Sequence, residues 1–188
     1  MTPDKITALF TRADGSFLCA RWGRPVAPVV FGLDDASLAV FRGAMVAGLT
    51  QAGIAVTETD AQMGANLMVF AVQDWAELAG IPDLDYLTGI DDLPGRLQGS
   101  GAHQYYLFRF DADGSIRAAF VFLRISGAAA DIHPAQLGEL VATNAGLTFA
   151  APVMPSPELA ALIRAAYDPV LPVAATDASH AIRLAART

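Results

Sequence analysis

Lysine occurs once in this chain, as Lys5, and cysteine once, as Cys19. A single cysteine excludes an internal disulfide and any cluster of thiolate ligands. Cys19 lies between Leu18 and Ala20, which suggests a strand position and a buried, chemically inert thiol. Basic residues do not cluster and the net charge is −7. Such a surface repels phosphate backbones and anionic lipid, so no nucleic-acid partner is expected. Long apolar runs are also missing. The longest strongly apolar stretch, Ala118 to Leu123, is far short of the ~20 residues of a spanning helix, so no transmembrane segment is expected. MTPDKITALFTRADG at the start has no basic region followed by an apolar one, so no signal peptide is expected in the sequence as given. The expected location is cytoplasmic if the chain is complete, and periplasmic or envelope if a leader has been removed.

Signatures of catalysis and cofactor binding are absent in the same way. No P-loop is present, nor a G-x-G-x-x-G opening a helix after a strand. Ser16, Ser100 and Ser126 lie outside any G-x-S-x-G elbow. His103, His133 and His180 are far apart, without partners at metal-ligand spacing. The run Asp111-Ala112-Asp113-Gly114 starts like a calcium loop but lacks a glutamate near Phe122, so it reads as a turn. Asp83, Asp85, Asp91 and Asp92 read as a solvated acidic loop. Nothing selects a catalytic pair among Glu58, Glu77, Glu139 and Glu158. No cofactor is expected.

What the chain does have is core-forming material. Of its 188 residues, 54% are hydrophobic, enough for one domain. The expectation is an α+β core over residues 1–150, with a C-terminal helical extension, 151–188, packing on the same domain. Ile6–Thr11 and Phe17–Trp22 read as a hairpin around Asp14-Gly15. Pro25 and Pro28 restrict the following stretch to an edge strand or extended arm. Leu38, Phe41, Met45 and Leu49 form one stripe of a helix capped by Asp34 or Asp35 and ended by Gly53. Ile54–Thr59 reads as a short strand, and Asn66–Val72 as a central strand buried on both faces. Asp74 caps a short helix, and 83–101 reads as a loop with helical turns. Gln104–Phe110 and Ile116–Ile125 form the strongest hairpin. Both of its faces are apolar, so each needs a cover. Its aromatics, Tyr105, Tyr106, Phe108, Phe110, Phe120 and Phe122, read as sheet core. Helices at Glu158–Tyr167 and from Thr176 to about Arg187 complete the chain. Ala-Asp-Gly-Ser occurs at 13–16 and at 112–115 and reads as two independent turns. The predicted class is α+β, a mixed or antiparallel sheet with hairpins packed by helices.

The segment Ile132–Leu147 reads as an amphipathic helix bearing Glu139. A zinc protease places H-E-x-x-H on such a helix; here the frame is Gly138-Glu139-Leu140-Val141-Ala142. Arg21-Trp22 with Pro25-Val26, Ala65-Asn66-Leu67, Arg109 and Asp113-Gly114 of the hairpin, Leu162-Ile163-Arg164 and Tyr167-Asp168-Pro169 follow in an order that resembles an uncharacterised proteobacterial family. Its members are frequently exported or lipoprotein-like, with a zincin-like domain. The resemblance implies a zincin-like fold with its site beside the Glu139 helix. It departs where chemistry would sit: the family's helix carries a preceding cysteine, a Glu-Glu pair and a glutamine, whereas here Gly138-Glu139 replace the pair, the register after Val141 is shifted and no cysteine is nearby.

The functional expectation is a non-catalytic zincin-like domain acting through binding or structure, with a peptide or protein partner or self-association. Its cleft would lie between the 104–125 hairpin and the Glu139 helix. The alternatives are a hydrolase with dispersed carboxylates or a metal site, and a homodimeric interaction module. The candidate site residues are Glu139, as a carboxylate base, and His133, as a metal ligand.

Overall fold

The computed structural model describes residues 1–127 and 131–188. The chain opens with a helix, α1 (Pro3–Phe10), where a hairpin arm was expected. Thr2 caps it by accepting from the Lys5 N–H, and Pro3 and Asp4 occupy its first turn, where missing N–H groups and negative charge are favourable. These start signals outweigh the strand-like composition of Ile6–Thr11. The Asp14-Gly15 turn itself is present, closed by the Arg12 N–H donating to the Ser16 carbonyl.

Four strands form the main sheet: β2 (Pro28–Phe31), β3 (Leu67–Val72), β5 (Ile116–Arg124) and β4 (Gln104–Phe110), side by side in that order. The first three are parallel, and β4 runs antiparallel to β5. The proline-flanked strand is thus an edge and β3 is internal. A separate two-residue ladder joins β1 (Cys19–Ala20) to β6 (Ala174–Ala175). Ile54–Thr59 is not a strand, because only Val56 finds a partner, in a bridge to Val26.

Alternation along the strands makes two apolar faces. One, with Leu67, Val69, Ala119, Val121, Leu123, Tyr106 and Phe108, belongs to the large core. α2 (Asp35–Gln51) and α5 (Pro134–Gly146), the most extensively packed helix pair, contribute Phe41, Met45, Leu49 and Val141 to that core. α2 is capped by Asp34, which accepts from the Ala36 and Ser37 N–H groups. On the other face Phe31, Phe70, Phe122 and Tyr105 stand in register across all four strands, with neighbouring ring centroids 5.1, 5.3 and 6.5 Å apart. A 3₁₀ segment (Trp75–Gly80) and two helices, α3 (Leu84–Thr88) and α4 (Leu93–Ser100), supply the cover, through Trp75, Leu78, Leu84, Leu93 and Leu97. The stretch read as a loop with helical turns is therefore the second layer that the two-faced hairpin requires.

The C-terminal segment contributes to the same core as residues 1–150. α6 (Pro157–Ala166) and α7 (His180–Ala185) bury Leu159, Leu162, Ile163, Ala181 and Leu184 in it. α7 begins after Ser179, later than the cap expected at Thr176. β6 ends only at Ala175, and the residues that follow form a turn in which Asp177 accepts from the Ser179 N–H. Among the described residues, no helix is long and apolar enough to cross a membrane.

Candidate functional site

The Glu139 helix, α5, starts where His133 caps it. The imidazole Nδ1 accepts from the Ala135 N–H at 3.2 Å, and Pro134 follows at the first helical position. His133 is therefore a capping residue at the helix start, where an unpaired N–H would otherwise be left. At the other end, the Trp22 indole N–H donates to the Ala145 carbonyl at 2.7 Å, and the Tyr167 hydroxyl donates to the Gly146 carbonyl at 2.9 Å. The Trp22 backbone N–H in turn donates to the Tyr167 oxygen, and the Arg21 guanidinium lies 5.5 Å over the Tyr167 ring. Burial pushes the Tyr167 hydroxyl above its ordinary pKa, keeping it a neutral donor. Arg21-Trp22 and Tyr167, far apart in sequence, thus fix the end of α5.

The side of α5 that would hold zinc ligands faces α2. A Cβ on Gly138 would lie 2.3 Å from the Phe41 carbonyl oxygen and 3.0 Å from the Met45 nitrogen. One turn on, the Ala142 Cβ sits 2.8 Å from where a Cβ on Gly48 would be. Small residues here bring two helix backbones into contact. Imidazoles at 138 and 142 would be driven into α2, not into a cleft. Among the described residues, no three His, Cys, Asp or Glu side chains gather where they could hold a metal ion. Cys19 is buried in β1, with its thiol pushed up to about 12 by desolvation.

Glu139 points the other way and is exposed. It stands on the wall of a cleft of about 420 Å³ between α5 and the start of the β4–β5 hairpin. Leu123, Ile125, Ile132, Leu137, Leu140 and Met154 line it, with Gln104 and Gln136 as polar neighbours. His133 does not line this cleft, so the two sequence-predicted site residues are not brought together. The far bank is the segment after α5, held in place by Asn144. That buried amide accepts from the Val153 N–H at 2.7 Å and donates to the Val153 and Leu140 carbonyls at 2.8 and 2.9 Å.

The cleft continues along the outer edge of the sheet. The Arg124 N–H donates to the His103 carbonyl, which sets the alternation of β4. Odd positions turn their backbone groups toward β5, and Gln104, Tyr106 and Phe108 turn theirs outward. Among the described residues these outward groups make no backbone hydrogen bonds beyond the strand. A narrower hollow of about 130 Å³ runs beside them, with Phe149, Ala150, Ala151 and Pro152 opposite. Tyr106 also holds the Gln104 amide, its hydroxyl donating to Oε1 at 3.1 Å. An unpaired strand edge beside an apolar cleft is an arrangement for taking up an extended chain. Sequence reasoning placed the cleft but missed Asn144 and the outward residues of β4. Strand parity, together with the Asn-Ala-Gly end of α5, was the available signal.

The chain matches no protein-family model, no curated protein and no solved structure.

Proposed function

We propose that this chain is a non-catalytic binding domain of zincin-like ancestry that takes an extended peptide along the outer edge of β4. The observation that carries this reading is the row of backbone groups at Gln104, Tyr106 and Phe108, unpartnered among the described residues and continuous with the apolar cleft beside α5. Main-chain bonds to the edge supply affinity, and the cleft selects side chains. The zincin part rests on the order of elements, an edge-strand hairpin followed by a glutamate-bearing helix. Packing of Gly138 and Ala142 on α2 supports binding over hydrolysis, since that face has no room for ligands.

The test is to pan a random peptide library on the full chain and measure the selected peptides against Gln104→Pro, which removes one outward N–H, and Met154→Asp, which charges the cleft wall. Each variant is expected to weaken binding by about tenfold while circular dichroism shows an intact fold. Unchanged affinity in both would overturn the reading. So would stoichiometric zinc or iron in protein purified without a histidine tag.

A further inference from the structure

Three ionisable side chains line the cleft: His103, Arg124 and Glu139. The first two meet each other toward the opposite face of the sheet, and Arg124 has no carboxylate partner among the described residues. The Arg124 guanidinium meets His103 Nδ1 at 3.2 Å and lies 6.0 Å over the Trp75 ring, and Trp75 belongs to the core on that side. Glu139 is different. It is exposed on the cleft side of α5 and forms no ion pair among the described residues. Residues 128–130 are all alanine, so they bring no charged side chain to it. Among the described residues the cleft is thus an apolar trough, of Leu123, Ile132, Leu140 and Met154, with one carboxylate free of ion pairs on its wall.

Resting on the reading above, we infer that the bound segment carries an arginine or lysine whose head group pairs with Glu139. Such a side chain fits both parts of the trough. Its methylene stem covers apolar surface while its cationic head reaches the carboxylate. Antiparallel addition, the more stable pairing, brings the C-terminal part of the segment past Gln104 to the cleft, so the basic residue lies near that end. From Phe108 to Gln104 the edge spans ~13 Å at strand rise, which leaves the residues beyond it for the cleft. The net charge of −7 steers a cationic segment toward the chain.

The experiment uses N-acetylated, C-amidated peptides of alternating valine and threonine ending in Leu-Arg-Leu, Leu-Gln-Leu or Leu-Glu-Leu, so that no terminal amine or carboxylate contributes. Affinities are read by fluorescence anisotropy for the wild-type chain, Glu139→Gln and Glu139→Arg. The wild type is expected to prefer the arginine peptide over the glutamine one by about fivefold, with the preference shrinking as salt rises. Glu139→Gln should abolish the preference, and Glu139→Arg should transfer it to the glutamate peptide. Equal binding of the arginine and glutamine peptides, or a preference that survives in Glu139→Gln, overturns this inference and leaves edge addition standing. Failure of every peptide to bind, or binding indifferent to both Gln104→Pro and Met154→Asp, overturns both. A free chain that sizes as a dimer with β4 covered makes a second copy the occupant and also overturns both.

Discussion

Gly138 shows how much one missing side chain decides. In the sequence it marks a histidine that is not there. In the structure it marks the point where α5 touches the α2 backbone, at a distance no Cβ tolerates. A working metal site therefore cannot be made here by supplying ligands. The double substitution Gly138→His with Ala142→His is expected to bind no stoichiometric zinc and to lower stability by more than about 3 kcal/mol, since overpacking a filled contact commonly costs about 1–3 kcal/mol. Thermal melting and metal analysis together check this; a stable variant holding one zinc would contradict it. The sequence exposes the absence of ligands, but the reason is a contact with Phe41 and Met45, ninety-odd positions earlier, which no local pattern reports.

At the scale of elements, local chemistry was legible wherever it was strong. The two Ala-Asp-Gly-Ser copies form the same turn, with Asp14 and Asp113 each accepting from the backbone N–H and hydroxyl of a serine two residues on. Gly15 and Gly114 supply φ values of 81° and 82°, as such turns require. What the turn could not reveal was its flank, since α1 precedes the first copy and β4 the second. The helix α2 was readable from its stripe and from Asp34. The strap after α5 was not, because Asn144 works through bonds to a residue in the following proline-rich connection. That strap gives a prediction. Asn144→Ala leaves the half-buried N–H and carbonyl of Val153 without their side-chain partner, a loss of about 1–3 kcal/mol. It should also free Met154 and Pro155 from the cleft wall. Faster hydrogen exchange at the Val153 amide, with exchange in β3 changing only as much as global stability falls, is the expected result. Uniform acceleration across the chain would mean Asn144 has no local role.

Over the whole molecule, the two ends of the chain are fastened together, and the fastening carries a pH dependence. α7 packs on α1, and the N-terminal ammonium donates to the Thr188 hydroxyl at 3.2 Å. At the start of α7, His180 is buried at 4% exposure, and its Nδ1 has no hydrogen-bond partner among the described residues. The sequence offers this histidine no metal partner, and the structure buries it on the inward side of α7. Desolvation, aided by Arg183 and Arg187, lowers its pKa from the ordinary 6.5. The folded state thus holds His180 neutral where the unfolded chain would protonate it. Its contribution to stability is complete above pH 6.5 and is lost as pH falls through the lower folded value. A second decline belongs to carboxylates such as Asp34, Asp60 and Asp168, whose hydrogen bonds lower their pKa from 3.8; it sets in at about pH 5 and steepens below 3.8. The two windows are separable. Between pH 7.5 and 5 the melting temperature of the wild type should fall, and His180→Leu should flatten most of that fall while leaving the steeper loss below pH 4 in place. Parallel profiles for the two proteins between pH 7.5 and 5 would show that His180 is not the group that titrates.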